Sequence, residues 1–155
     1  MTPAINQAKK EKIVYSVHKY QHSPSCDAYG LEAVEKLGLP KERVFKTLVV
    51  RLDDERLAVG VLPVTSKLNM KHIARAAKAK KAAMADKVLV VKTTGYVLGG
   101  VSPLGQKRRL PTFIDSSAAD FPTIYVSAGR RGLEIELRSE DLLELTDGLY
   151  ADLCR

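Results

Sequence analysis

One lysine lies inside an apolar stretch of this chain, Val44-Phe45-Lys46-Thr47-Leu48-Val49-Val50-Arg51-Leu52. If that stretch is a strand, Lys46 shares a face with Val44, Leu48, Val50 and Leu52, because side chains alternate with period two. An ammonium group in such a row is costly to bury unless it reaches a partner or water. The residues allow two readings. Either the lysine stem carries its charge out to solvent at the strand end, or the cation points into a pocket and holds a phosphate or a terminal ribose. A second feature is Gly99-Gly100-Val101-Ser102-Pro103-Leu104-Gly105. Adjacent glycines let backbone N–H groups approach a ligand, Pro103 stiffens the exit, and such loops can form an anion nest or oxyanion hole. Glycine pairs also serve as plain turns, and this one has neither the P-loop lysine nor the dinucleotide fingerprint.

A third feature is Ser127-Ala128-Gly129-Arg130-Arg131-Gly132, between two strand candidates. It reads as a basic hairpin turn, or as a strand end with Ser127 facing a site and Arg130 and Arg131 meeting RNA phosphates. Lys107, Arg108 and Arg109 add a second basic cluster just after the glycine loop. Conventional nucleophiles fare poorly. Cys26 lies near His22 but nothing marks a third, orienting residue, and Ser102 lacks the G-x-S-x-G context. The three histidines, His18, His22 and His72, are scattered, without the spacing of a zinc site. An enzyme built from these parts is expected to carry no covalent nucleophile of its own, and no ligand cluster marks a metal or other cofactor.

The elements that position these groups can be outlined. Thr2-Pro3 opens a short helix to about Lys12, with threonine as N-cap and proline in the first turn. Ile13 to Tyr20 reads as a strand, Tyr29 to Leu37 as a helix stopped by Gly38, Val44 to Leu52 as the strongest strand. Asp53-Asp54-Glu55 turns it into a partner strand, Arg56 to Leu62. Asn69 caps a helix with Ile73, Ala76 and Ala77 inward and Lys71, Arg75 and Lys78 outward. Ala85 to Lys92 fits strand or helix, and Gly95 to Gly105 fits neither. Thr112 to Asp115, Thr123 to Ser127 and Leu133 to Leu137 are strands, and Ser139 caps a last helix to about Leu145. Strands and helices do not alternate regularly, so a βαβ repeat is excluded. The expectation is one α+β domain over residues 1–155, with a mixed, largely antiparallel sheet, curled and surrounded by helices.

Composition sets the class. The 155 residues are enough for a core, and 45% are hydrophobic, as in ordinary globular proteins. No apolar run approaches the roughly 20 residues that cross a bilayer, and the start lacks a secretory signal, so no membrane and a cytoplasmic location are expected. Cys26 and Cys154 then read as reduced thiols. The 25 Lys and Arg exceed the 18 Asp and Glu by 7, which suits a polyanionic partner without proving one.

Taken together, Val44 to Leu48, Gly95-Tyr96 leading into Gly99 to Gly105, and Ser127 to Glu134 resemble the YbaK family of bacterial Cys-tRNA(Pro) deacylases, related to the editing insertion domain of prolyl-tRNA synthetase. Met1 to Ala4 and Gly105 to Ile114 look similar as well, so the resemblance spans essentially the whole chain in order. It implies that the sheet is partly barrel-like, that Lys46 anchors the aminoacylated end of tRNA, and that Gly99 and Gly100 hold the ester region within a loop running through Val101, Ser102 and Pro103. It further implies that Tyr20, Tyr29, Ser127 and Glu134 line the pocket. Two positions depart from the family pattern: Tyr29 stands where phenylalanine is usual, and Glu134 where aspartate is usual. The implied reaction clears mischarged Cys-tRNA(Pro), with Cys-tRNA(Cys) a further substrate, by attack of the substrate's own thiol on its ester. Prolyl-tRNA synthetase is an implied partner. Deacylation of another small aminoacyl group, such as Ala-tRNA(Pro), and a non-catalytic tRNA-binding module stand as the alternatives.

Overall fold

The computed structural model describes residues 1–26 and 28–155. Helix α1 (Pro3–Lys10) is capped as its sequence implies, the Thr2 hydroxyl accepting from Ile5 N–H at 3.2 Å. Strand β1 (Tyr15–Lys19) and helix α2 (Tyr29–Leu37) follow, then β2 (Phe45–Leu52) and β3 (Leu57–Pro63), joined by a turn in which Glu55 takes φ 70°. Next come α3 (Met70–Ala76), β4 (Ala82–Met84) and α4 (Lys87–Thr94). The remainder is β5 (Thr112–Asp115), β6 (Ile124–Arg130), β7 (Leu133–Leu137), α5 (Ser139–Thr146) and β8 (Leu149–Ala151).

The strands form two sheets. One is antiparallel, in the order β1-β7-β6, and the other is mixed, in the order β4-β2-β3-β5-β8. An isolated parallel bridge between Val44 and Tyr125 joins them, and this gives the barrel-like curl. Beyond that bridge β6 and β2 diverge. β4 pairs only with Val50 to Leu52, so the first half of β2 keeps an edge free of β4. The gap there is what the site occupies.

β2 is buried on both faces, as its near-continuous apolar run requires. Phe45 and Val49 enter a core between the sheets with Val61, Ile114, Val126 and Ile135. Val50 and Leu52 face the other way, onto Leu62, Ile73, Phe113 and Leu153 under α3. Lys46 belongs to this second face by alternation.

Several sequence expectations change. The ambiguous 85–92 segment is helical from Lys87, because the Asp86 carboxylate accepts from Leu89 N–H at 3.1 Å and Gly95 ends the helix at φ 81°. Ser139 does not cap α5: Arg138 occupies the cap position, and the buried Ser139 hydroxyl lies 2.9 Å from the Tyr150 hydroxyl. A tertiary contact takes the group that a local cap would have used. In α3 it is Ala74 that is buried together with Ile73 and Ala77, while Ala76 is only half-buried. β4 and β8, three residues each, have no counterpart in the sequence reading.

Candidate active site

A cavity of about 610 Å³ opens in the gap between β2 and β6, within the size range of small-ligand sites. Tyr20, Tyr29, Lys46, Gly99, Val101, Ser127, Arg130 and Glu134 all line it. Residues far apart in sequence thus meet in one place. Each arrives for a local reason.

Ser127 and Glu134 are cross-strand partners on β6 and β7, so their side chains share a face. Glu134 is 6% exposed, and among the described residues its carboxyl has no hydrogen-bond or ion-pair partner. Burial pushes its pKa up to about 8. Two residues along the same face, Glu136 has the opposite fate. Burial opposes its charge, but Thr123 Oγ1 at 2.6 Å, His18 Nε2 at 2.9 Å and the Arg43 guanidinium hold it below the usual carboxylate range. The contrast isolates Glu134 as a carboxyl stored neutral, with its hydrogen-bonding capacity unspent.

Lys46 makes no salt bridge among the described residues. Burial pushes its pKa down, offset by the charge of Cys154 and reinforced by that of Lys67. The sequence left open whether this cation is solvated or aimed into a pocket; it is half-buried and lines the cavity wall. Its neighbour Thr47 escaped the sequence reading. Thr47 also borders the cavity, from the opposite face of β2, and its buried Oγ1 has no partner among the described residues.

The glycine loop is pinned as a rigid wall. Val97 to Gly100 form a turn in which Gly99 takes φ 83° and Gly100 N–H donates to Val97 O at 3.0 Å. Gly100 therefore spends its amide on the turn and cannot offer it to a ligand in this conformation. Its lack of a side chain serves close packing instead, since a Cβ there would stand 2.8 Å from Arg130 Cα. The N–H groups of Gly99 and Val101 have no acceptor among the described residues, and both residues face the cavity. Ser102 and Pro103 do not line it. The buried Ser102 hydroxyl accepts from Leu104 N–H at 3.2 Å, and Pro103 borders a separate cavity beside α1.

A Cβ at Gly99 would fall 2.5 Å from the Tyr29 ring. Gly99→Ala is therefore expected to cost about 1–2 kcal/mol from the left-handed backbone alone, and to displace Tyr29 into the cavity. Denaturant melts and turnover measured together check this; an alanine variant as stable and active as the parent would refute it.

Tyr29 itself is clamped. Arg131 lies over its ring at 4.7 Å and donates from Nε to Leu98 O at 3.0 Å, tying the β6–β7 turn to the glycine loop. His22, which the sequence left without a partner, sits 5.6 Å from the Tyr29 ring and 2.6 Å from Glu32 Oε1. Glu32 is buried, which opposes its charge. His22, Ser23 N–H and Lys36 outweigh that and lower its pKa to about 2. This cluster anchors the base of α2 against the 20–26 loop, and it gives His22 a structural partner other than Cys26. Tyr20, opposite, is pushed up to about 12 by burial and by the charge of Glu134.

The basic clusters separate. Arg130 lines the cavity, whereas none of Lys107, Arg108 and Arg109 does. The Arg109 guanidinium donates to Leu145 O at 2.9 Å and borders the cavity beside α1.

Comparison with known proteins places this geometry among relatives. The family model described as the aminoacyl-tRNA editing domain matches residues 24–145. A protein of Enterococcus faecalis, EbsC, named as a proposed Cys-tRNA(Pro)/Cys-tRNA(Cys) deacylase, is 38% identical over 153 residues, covering 98% of this chain and 92% of that one. An uncharacterised protein of Bacillus subtilis, YwhH, is 28% identical over 125 residues, with 80% and 79% covered. A crystal structure described as a proposed trans-editing enzyme for prolyl-tRNA synthetase superposes with a TM-score of 0.82 at 21% identity, covering 100% of this chain and 99% of that one. At that identity the likeness speaks for the fold.

Proposed function

This chain belongs to the aminoacyl-tRNA editing domain family, and from that premise we propose that it is a trans-acting deacylase that clears cysteine from tRNA(Pro), with Cys-tRNA(Cys) as a second substrate. The observation that carries the reading is the cavity, which gathers an unpaired ammonium, a buried neutral carboxyl and two free loop amides around a space suited to an aminoacyl ester. Among the described residues lining it there is no cysteine, and no histidine to activate a hydroxyl. That composition suits a reaction in which the substrate supplies the attacking group.

In this proposal the cysteinyl thiol attacks its own ester carbonyl. A C–S bond forms, the C–O bond to the ribose breaks, and the thiol's proton ends on the ribose oxygen. The products are a cyclic thiolactone and free tRNA. The protein contributes orientation and charge. The N–H groups of Gly99 and Val101 take the carbonyl oxygen as it gains negative charge, and Lys46 holds the terminal ribose or its phosphate. Glu134 receives the substrate's α-ammonium, the cation that an aminoacyl ester brings to this wall; its arrival would draw the proton off Glu134. Tyr20, Tyr29 and Ser127 close the space around the side chain. The reaction takes place in the cytoplasm, beside prolyl-tRNA synthetase as a partner.

The test is a panel of Cys-tRNA(Pro), Ala-tRNA(Pro) and Pro-tRNA(Pro) with loss of the aminoacyl ester followed. Loss of the cysteinyl ester alone is expected, because only a thiol-bearing amino acid can cyclise. Faster loss of alanine would move the substrate to a different small amino acid. Persistence of all three esters would refute deacylation and leave a binding module.

A further inference from the structure

The chain's positive charge is concentrated in one stretch of sequence. Residues 71–92 carry Lys71, Arg75, Lys78, Lys80, Lys81, Lys87 and Lys92 against the single acid Asp86. That is a net +6 of the chain's +7, and the remaining residues are almost balanced, with 18 basic against 17 acidic. All seven cations are exposed. Among the described residues none of the seven enters a salt bridge. Asp86 is occupied as the cap of α4.

This face is built from α3, the edge strand β4 and α4, and it runs into the cavity wall. Met84, Ala85, Lys87 and Val90 line the cavity. At about 3.3 Å per residue, Lys81 stands only ~10 Å from Met84 along the chain. Apolar side chains lie open on these elements: Met84, which lines the cavity, is 51% exposed, and Val88 and Val91, on α4 with the lining residues Lys87 and Val90, are 75% and 39% exposed. The wall formed by α2 is unlike it, since that helix carries two acids, Glu32 and Glu35, and the single cation Lys36.

We propose that the α3–β4–α4 face is the track along which the single-stranded acceptor end of tRNA enters the cavity. Lys78, Lys80, Lys81 and Lys92 meet successive phosphates, and the Met84–Val88 lip packs against the terminal bases. The proposal rests on the aminoacyl-tRNA reading above. A strand whose 3′ terminus sits in the cavity must leave across one wall. This wall offers unpaired cations for a polyanion together with apolar surface for unstacked bases.

The experiment compares the parent with a variant carrying Lys78→Gln, Lys80→Gln, Lys81→Gln and Lys92→Gln. The control carries Lys9→Gln, Lys10→Gln, Lys12→Gln and Lys19→Gln, the same charge change elsewhere. Affinity for unacylated tRNA is read by fluorescence anisotropy across a salt series, and turnover is read on Cys-tRNA(Pro) and on cysteinyl-adenosine. The track variant should bind tRNA about tenfold more weakly at low salt, and its slope of log K against log salt should be shallower by about 3, for four contacts at ~0.7 each. Its turnover of cysteinyl-adenosine should match the parent's. Met84→Gln with Val88→Gln should weaken binding and leave the slope intact. Equal losses in the track and control variants would overturn the proposal, as would an unchanged slope or a parent without tRNA affinity; the face would then await a protein. A parent that binds tRNA through this face and turns over no ester would leave the track standing and sink the deacylase reading.

Discussion

Replacing Lys46 with alanine is expected to lower deacylation of Cys-tRNA(Pro) by about two to three orders of magnitude, the usual cost of removing one preorganised charge or donor from a reacting centre. The same change should leave the fold as stable as the parent or more so. The first expectation comes from the place of Lys46 on the cavity wall; the second comes from burial, which pushes its pKa down with no carboxylate among the described residues to answer it. Below its lowered pKa the charged lysine is a burden on the folded state, relieved progressively as the pH rises from that value to the ordinary lysine range. A residue kept at a cost to stability points to use. Lys46→Met, which keeps the stem and discards the charge, separates the two effects. Its melting temperature should equal or exceed the parent's while its turnover stays as low as that of the alanine variant. Parent-like turnover in both would remove Lys46 from the reaction and return it to a solvated strand lysine.

Glu134→Gln is expected to change how stability depends on pH by several kcal/mol across the neutral range. The Glu134 pKa stands near 8 when folded, whereas an unfolded glutamate titrates near 4.3. Between those values the unfolded chain has lost the proton and the folded chain retains it. Folding then takes up a proton, and stability falls as pH rises from about 4.3 to about 8. Below that window the carboxyl is neutral in both states and costs nothing extra; above it the full penalty persists. The amide is nearly isosteric and does not titrate. Parent and variant should therefore melt alike near pH 4 and diverge steadily to pH 8, the variant being the more stable. Turnover should move the other way, because the amide cannot become the counter-ion of the substrate ammonium. Parallel melting curves at every pH would mean that Glu134 is ionised and solvated.

These expectations rest on features that were unequally legible in the sequence. The lysine inside an apolar strand could be seen at once, because the alternation that exposes it is a property of five or six neighbouring residues. The boundaries of α2, β5 and β7 were equally plain, set by Gly38, by Thr112-Phe113-Ile114 and by the strict alternation of Leu133-Glu134-Ile135-Glu136-Leu137. The family resemblance brought Tyr20, Tyr29, Ser127 and Glu134 into one list without saying how they meet. Local sequence could not reveal β4 and β8, which are three residues long and exist because neighbouring strands offer them hydrogen bonds. It could not tell that Gly100 spends its amide on Val97 while Gly99 and Val101 keep theirs, since that depends on how a loop closes. Nor could it separate Glu134 from Glu136, two like carboxyls on one face of one strand. Short-range periodicity, caps and turn residues act within a few positions, so the sequence alone determined the elements and the residues able to do chemistry. The divergence of β2 from β6, the neutral state of Glu134 and the freedom of two amides depend on burial and partners supplied from across the chain, and those only the tertiary structure decided.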